Sequence, residues 1–237
     1  MMFFWQPYCI PMKLYTGDLS PYSAKVRMQI YAMGIEDIHF ELPVSFYLGK
    51  LAEISPIGRI PVLQVDDGII PESEVIAEYL DDLYPEKSLA GDTPRQRANV
   101  RLLSRIADIY LMNNIFMALP QIPRATRVDA VRDLFAAQIA RGMGALERHL
   151  ADDEFAAGPE LTRADCTLVP ALWMCENTVP RLDVPNPIES TKHVARYWTK
   201  IRSNEHAAKI LAEMDRGMQA RLDGTERKMI EEARARL

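Results

Sequence analysis

The sequence predicts a chain of two parts, an α/β half with four short strands followed by a half built from helices alone. Strand-like and helical patterns alternate as far as Pro85, and Asp67-Gly68 is a strong hairpin signal between two of the strands. Beyond the linker Gly91 to Pro94, helical periodicity runs almost without interruption. The 237 residues are enough for two modest domains, which we place at residues 12–91 and 92–237.

The strands of the first half are short apolar or alternating runs between turn residues. They are predicted at Met12–Tyr15, Ile38–Leu42, Pro61–Val65 and Ile69–Ile70. Ser20-Pro21 opens the first helix, because serine is a favoured N-cap and proline suits the first helical position. A partly helical stretch reaches Ile54, and Ser73 is predicted to cap the next helix, which Pro85 ends. The order is strand, helix, strand, helix, strand, strand, helix.

Periodicity and capping signals divide the second half into five helices. Thr93-Pro94-Arg95-Gln96 resembles a capping box with proline at the first helical position, so a helix begins there. The helices are predicted at Pro94–Leu119, Ala125–Leu150, Ala164–Asn177, Glu189–Ser203 and His206–Leu222. The charged end, Glu226 to Leu237, is predicted to be a solvated helix or a frayed tail.

Charge and cysteine content argue against several classes of function. The formal net charge is −5 without a basic block, which argues against nucleic acid or a membrane as a partner. Cys9, Cys166 and Cys175 are not closely paired, which favours a reducing, cytoplasmic setting over a disulfide framework. Their spacing to the four histidines fits no zinc motif, so no metal is predicted. Residues 1–11 are apolar but too short to span a bilayer, and we interpret them as a non-structural extension.

Four segments together carry a resemblance to a known family. They are Ser20-Pro21-Tyr22-Ser23-Ala24-Lys25-Val26-Arg27, Gly58-Arg59-Ile60-Pro61-Val62-Leu63, Pro71-Glu72-Ser73-Glu74-Val75-Ile76 and Thr162-Arg163-Ala164-Asp165. Their order and spacing resemble the cytosolic glutathione transferases, in the serine-type, bacterial-like form, and the resemblance extends from Met12 to about residue 222. It implies the glutathione transferase architecture, an α/β thioredoxin-like N-terminal domain that binds glutathione and an all-α C-terminal domain.

The resemblance implies that Ser20 is the catalytic residue. Its hydroxyl would face the thiol of glutathione at a helix N-terminus, where partial positive charge stabilises a thiolate. Alternatively, Ser20 only caps its helix. Tyr15 and Tyr22 are the rival residues, because tyrosine-type relatives activate the thiol with a phenol, although Tyr15 also suits the core of its strand.

The remaining glutathione contacts are implied at two further segments. A cis peptide before Pro61 would turn the Ile60 main chain outward to pair with the cysteinyl part of glutathione like an added strand. Arg59 would reach a carboxylate of the tripeptide, or else remain a solvated charge. Ser73, at a helix N-terminus, would hold the γ-glutamyl carboxylate, and Glu72 would hold the neighbouring ammonium group. Without a ligand, the same pair is a plain helix cap.

Two sets of residues are implied in the helical half. Thr162 and Asp165 would form a structural capping box at the start of a central helix. The electrophile would lie against apolar side chains chosen by analogy of position, although helical spacing equally suits them to the core. These are Tyr110, Phe116, Met117, Trp173 and Met174.

The implied function is a detoxifying glutathione transferase that conjugates the thiol of glutathione, its cosubstrate, to small hydrophobic electrophiles, as a cytoplasmic homodimer. A glutathione-dependent isomerase or dehalogenase on the same fold is one alternative. A non-catalytic binding module is another, since a fold does not by itself fix a function. A thiol–disulfide reductase would favour cysteine where this chain has Ser20.

Overall fold

A four-stranded sheet in the order β2–β1–β3–β4 forms the centre of the first half. The computed structural model describes residues 12–42, 48–150 and 152–235. The strands are β1 Met12–Tyr15, β2 Ile38–Glu41, β3 Val62–Val65 and β4 Gly68–Pro71. β1 is parallel to β2 and antiparallel to β3, and β4 pairs antiparallel with β3. The parallel pair needs a crossover helix and the antiparallel pair only a tight turn, in agreement with the predicted order.

Two helices flank the sheet, and the first of them also contacts the helical half. They are α1 Pro21–Ala32 and α2 Ser73–Leu83. On one side of α1, Val26 and Ile30 pack in the core of the sheet. On the other side, Ala24 and Met28 belong to the core of the helical half. Because α1 lies between two cores, every side chain from Ser23 to Ile30 is buried.

The second half is helical throughout its regular elements. Its helices are α3 Pro94–Arg105, a π-helical segment Ile106–Met112, α4 Asn113–Ala118, α5 Asp129–His149, α6 Arg163–Asn177, α7 His193–Ile201, α8 Glu205–Leu222 and α9 Thr225–Ala235. The central helix is α6, which is buried from Arg163 to Cys175 and packs against α1, α3 and α8. The predicted architecture, a thioredoxin-like half followed by an all-α half, is confirmed.

Three predicted helices differ from the observed ones. The helix predicted at Pro94–Leu119 widens into a π-helical turn at its middle, which hydrophobic periodicity does not reveal because the stretch stays apolar. The helix predicted from Ala125 begins at Asp129. The helix predicted from Glu189 begins at His193, where the distant Glu147 carboxylate accepts from the backbone N–H groups of the first turn.

Some expectations concern residues outside the described ranges. The interpretation of residues 1–11, the position of Cys9, and part of the stretch between β2 and β3, at residues 43–47, are in this group. Within the described ranges, one helical stretch, Pro94–Gln121, is long and apolar enough to cross a membrane by length and composition. Half of its most apolar window is buried inside the protein.

Candidate active site

A cavity of about 540 Å³ lies between the α/β half and the helical half. One wall comes from the loop after β1, the segment before β3 and the start of α2. The opposite wall comes from the helical stretch that begins with α3. The structure brings all six of the predicted glutathione-site residues to this cavity, namely Ser20, Arg59, Ile60, Pro61, Glu72 and Ser73.

Ser20 is the N-cap of α1 and lines the cavity. Its backbone is extended, with φ −84° and ψ 111°, and its Oγ accepts a hydrogen bond from the Ser23 N–H at 3.3 Å. No acidic residue lies in the first turn of α1, so the partial positive charge there is not offset locally. A hydroxyl that accepts one hydrogen bond still has its own proton to donate. The same side chain can therefore cap the helix and donate to an anion in the cavity.

The two tyrosines considered beside Ser20 lie in different places. Tyr15 does not line the cavity, and its hydroxyl donates to Oε1 of Gln64 on the neighbouring strand at 2.9 Å. Tyr22 does line the cavity, and its hydroxyl lies 3.4 Å from the backbone oxygen of Asp108, to which it donates. Burial raises the pKa of Tyr22 well above its usual range. Tyr22 is therefore a neutral phenol at pH 7.

The peptide bond between Ile60 and Pro61 is cis, as predicted. Among the described residues, none donates to or accepts from the main chain of Ile60. Strand β3 starts only at Val62, which pairs with Tyr15 of β1. The N–H and C=O of Ile60 are thus available to an extended peptide bound in the cavity.

Ser73 is not the N-cap of α2, contrary to the sequence-based prediction. The N-cap is Glu72, which has φ 71° and makes no side-chain capping hydrogen bond. Because β4 ends at Pro71 and α2 begins at Ser73, one residue must turn the chain, and Glu72 adopts the left-handed conformation that non-glycine residues rarely take. The first N–H groups of α2 therefore have no side-chain cap, and Ser73 lines the cavity beside them.

Apolar side chains from the helical stretch form part of the opposite wall. Phe116 and Met117, two of the predicted electrophile contacts, line the cavity. The ring of Phe116 stacks on that of Tyr22 with centroids 5.7 Å apart. The cavity thus combines polar groups from the α/β half with the apolar side chains of Phe116 and Met117 from the helical half.

Comparison with family models and solved structures agrees with this geometry. The model of the glutathione S-transferase N-terminal domain matches residues 14–88, and that of the C-terminal domain matches residues 106–205. The chain belongs to the glutathione S-transferase family. The crystal structure of glutathione transferase F2 from Populus trichocarpa shares the fold, with a TM-score of 0.72 and 22% identity, over 86% of this chain and 99% of that one.

Proteins similar in sequence to this glutathione S-transferase family member are named for different roles. Maleylacetoacetate isomerase of Pseudomonas aeruginosa is 30% identical over 182 residues, which cover 73% of this chain and 85% of that protein. Elongation factor 1-gamma 2 of Oryza sativa subsp. japonica is 25% identical over 201 residues, which cover 84% of this chain and 47% of that protein. The chain therefore spans about half the length of the latter relative, and the family alone leaves the reaction open.

Three of the predicted electrophile contacts do not line the cavity of this transferase-family chain. Trp173 and Met174 are buried in the core because α6 is enclosed on all sides, and the Trp173 indole donates to Asp215 at 2.8 Å. Tyr110 packs against α5, where a Cβ added at Gly142 would come within 2.6 Å of the tyrosine Cβ. These residues were predicted to line the pocket by analogy of position. The prediction was wrong for them because side chains of the core and of the pocket have the same helical spacing.

Sequence reasoning missed a cluster of buried charges under the cavity. Lys25 of α1 pairs with Glu74 of α2 and, at 2.9 Å, with Asp108 of the helical half. Arg163 pairs with Asp81 at 3.1 Å. Burial raises the pKa of Asp108, and the charge of Lys25 opposes that shift. Burial also acts to raise the pKa of Glu74, but Lys25 and Arg163 outweigh it, so that pKa is lowered. The sequence held one signal of these buried charges. Charged and apolar residues alternate along α1, so no side of the helix is polar enough to face solvent.

Arg105, Ile109 and Asn113 also line the cavity and were not predicted. Each is separated by four residues from the next, so a helical register that starts from Met117 would have included them.

The two described cysteines do not belong to the cavity. Cys166 and Cys175 are fully buried, and burial raises the pKa of the Cys175 thiol to about 12, which makes it unreactive. Within the described ranges, no group of three or more potential metal ligands is found.

Proposed function

We propose that the chain is a glutathione transferase that conjugates the thiol of reduced glutathione to small hydrophobic electrophiles. The supporting observation is one cavity that combines two kinds of wall. Ser20, Ser73 and the main chain of Ile60, which bonds to no described residue, are on one side, and Phe116 and Met117 are on the other. A hydrophilic tripeptide and an apolar partner need such a divided site.

Glutathione would bind as the sequence motifs imply. The Ser73 hydroxyl and the uncapped N–H groups of α2 would hold the γ-glutamyl carboxylate. Glu72, which is exposed and lines the cavity, would hold the ammonium group. The cysteinyl part would pair with Ile60 as an added strand, and Arg59 would bind a carboxylate of the tripeptide.

Ser20 would stabilise the ionised thiol rather than act as a base, because a neutral hydroxyl has little tendency to accept a proton. It would donate a hydrogen bond to the thiolate, aided by the N-terminus of α1. The thiol proton passes to solvent. The sulfur then forms a bond to the electrophilic carbon. A halide leaves with the electron pair of its bond, whereas in an unsaturated carbonyl compound the electrons of the double bond shift toward the carbonyl and the product takes up a proton from solvent.

A glutathione-dependent isomerase is the second candidate, favoured by the likeness to a protein named maleylacetoacetate isomerase. An isomerase would use the same glutathione site and return glutathione unchanged at the end of each cycle. A dehalogenase is a related alternative, and a non-catalytic module is a third reading, since relatives include proteins named elongation factor 1-gamma.

We also propose a cytoplasmic homodimer. Val75 of α2 and Leu102 of α3 are apolar yet 52% and 40% exposed. A two-fold dimer would repeat the same patch on both subunits and cover such side chains.

Calorimetric titration with reduced glutathione tests the binding half of the proposal, and a panel of aromatic halides and unsaturated carbonyl compounds tests the chemistry. We expect saturable binding with one site per chain and glutathione consumed in proportion to product. Absence of binding would reject the transferase and the isomerase together. Binding with product formed but no net loss of glutathione would favour the isomerase, and binding without any turnover would favour the non-catalytic module.

A further inference from the structure

The wall of the cavity that faces the glutathione motifs has a charged end and an apolar end. Arg105, Ile109, Asn113 and Met117 follow one another at intervals of four residues along the continuous helical stretch Pro94–Gln121, and all of them line the cavity. Arg105 lies at the end of α3, while Met117 and its neighbour Phe116 lie in α4. This wall therefore presents a cation at one end and apolar side chains at the other.

Among the described residues, the guanidinium of Arg105 makes only one long ion pair with the protein. Its nearest carboxylate oxygen, Oδ2 of Asp108, is 3.6 Å away, which is beyond hydrogen-bond distance. The same oxygen accepts from Lys25 at 2.9 Å, so the buried lysine is its principal partner. Within the described part of the chain, Arg105 donates no hydrogen bond, and its side chain is 52% exposed. Five N–H donors thus remain available to a ligand in the cavity.

The other arginines of the cavity are occupied or belong to the opposite wall. Arg221 forms two hydrogen bonds with the carboxylate of Glu226, at 2.8 and 2.9 Å. Arg59 lies in the segment before β3, next to Ile60, and under the proposed function it would bind a carboxylate of the tripeptide. Arg105 is therefore the cation placed to meet the second substrate.

We propose that Arg105 binds a carboxylate on the electrophile, whose apolar part lies against Ile109, Phe116 and Met117. The substrate class is then an amphipathic electrophile, apolar at the reacting end and anionic at the other. The planar guanidinium suits this task because its paired N–H groups match the two oxygens of a carboxylate. This inference rests on the proposed function, since it names the second substrate of the same site.

Two related electrophiles, one anionic and one neutral, provide the test, and the ratio of their kcat/KM values is compared between variants. In 4-chloro-3,5-dinitrobenzoate, the glutathione sulfur bonds to the carbon that carries chlorine. Chloride leaves with the electron pair of its bond, and the thiol proton goes to solvent. The methyl ester undergoes the same substitution without the negative charge. We expect Arg105→Gln to lower kcat/KM for the carboxylate by about tenfold relative to the ester, as expected for loss of a partly exposed charge-assisted contact.

Arg95→Gln is the matched control, because Arg95 is an exposed arginine of the same helix that does not line the cavity. It should leave the ratio of the two kcat/KM values unchanged, and Arg105→Lys should restore part of the preference. Equal ratios in the wild type and in Arg105→Gln would overturn the assignment. A weaker affinity of Arg105→Gln for glutathione, with an unchanged ratio, would assign Arg105 to glutathione instead.

Binding of unreactive analogues separates this inference from the proposed function. Calorimetric titration in the presence of glutathione should show 3,5-dinitrobenzoate binding the wild type about tenfold more tightly than 3,5-dinitrobenzamide, and Arg105→Gln should remove the difference. If the protein shows that preference but no turnover, the transferase proposal fails and the anion site stands. If it turns over both electrophiles without binding preference, the anion site fails and the transferase proposal stands.

Discussion

The Ser20 hydroxyl has one hydrogen bond from the chain and one proton to give. Ser23 N–H occupies an acceptor position of the oxygen at 3.3 Å, a long contact that a second interaction could accompany. The nearby phenol of Tyr22 already donates its proton to the backbone oxygen of Asp108. These contacts support our proposal that Ser20 stabilises the thiolate.

We predict that Ser20→Ala raises the apparent pKa of bound glutathione and lowers turnover at pH 7, because the thiolate loses a charge-assisted donor worth about 1.5–3 kcal/mol. The pH profile of conjugation measures both effects. Tyr15→Phe is the control and should leave the profile unchanged, since Tyr15 does not line the cavity. Full activity in the serine variant with loss in the tyrosine variant would transfer the role to Tyr15.

A second prediction at this scale concerns Ser73, which is 6% exposed and lines the cavity at the uncapped start of α2. Ser73→Ala should weaken glutathione binding by about 1.5–3 kcal/mol, the value of a hydrogen bond to a charged group. Calorimetry measures this directly. Ser190→Ala, at an exposed turn in the helical half, should bind as the wild type does. Unchanged affinity in Ser73→Ala would remove this residue from the site.

At the scale of elements, the start of α6 depends on a single carboxylate. Thr162 and Asp165 form a capping box, in which Asp165 Oδ2 accepts from the Thr162 N–H at 2.9 Å. Asp165 Oδ1 also accepts from Ala156 N–H at 2.8 Å and from the Tyr197 hydroxyl at 2.9 Å. Burial raises the pKa of Asp165, and these hydrogen bonds oppose the shift. The carboxylate therefore ties α6 to the preceding loop and to α7.

Asp165→Ala should reduce the free energy of unfolding by about 2–4 kcal/mol, more than a lost cap alone, because several buried donors lose their acceptor at once. Chemical denaturation measures the loss. Asp165→Asn should lose less, since its amide oxygen can still accept from Ala156 and Tyr197. A loss below about 1 kcal/mol in the alanine variant would contradict this account.

At the scale of the whole molecule, Arg27 joins the two halves. Its Nε donates to Glu213 of α8 at 2.8 Å, and its other nitrogens donate to the Thr16 hydroxyl and to the backbone oxygens of Gly17 and Asp18. The second oxygen of Glu213 accepts from Tyr31 at 2.8 Å. The loop that leads to Ser20 is therefore fixed against the helical half.

Arg27→Met should destabilise the protein by about 3–5 kcal/mol, because it leaves the buried Glu213 carboxylate without its cation. The double variant Arg27→Met with Glu213→Leu should lose less than the sum of the two single variants, since both charges are then absent. Denaturation of the three variants gives the coupling energy. Simple additivity would show that the pair does not connect the halves energetically.

The proposed dimer is also a property of the whole molecule. Light scattering at micromolar concentration should give twice the 26.9 kDa mass of the chain. Val75→Glu with Leu102→Glu should shift the protein toward the monomer, because charges in the core of an interface are strongly disfavoured. The matched variant Leu134→Glu, at another exposed apolar residue, should remain dimeric. A wild-type monomer would reject the proposal.

Local chemistry in the sequence was enough for the order of strands and helices, for the cap at Ser20 and for the Thr162 capping box, whereas the cis peptide at Pro61 was implied by the family resemblance. These features depend on residues close together in the chain, or on motifs with fixed spacing. The left-handed turn at Glu72 was missed because serine is the better cap by propensity, while the chain path from β4 required a turn one residue earlier.

Only the tertiary structure decided which helical side chains belong to the cavity and which to the core. Trp173 and Phe116 have similar chemistry and helical spacing, but enclosure of α6 buries the first and the open face of α4 exposes the second to the cavity. The pairing of Lys25 with Asp108 spans 83 residues of sequence. Such contacts depend on how distant elements pack, which local propensity does not encode.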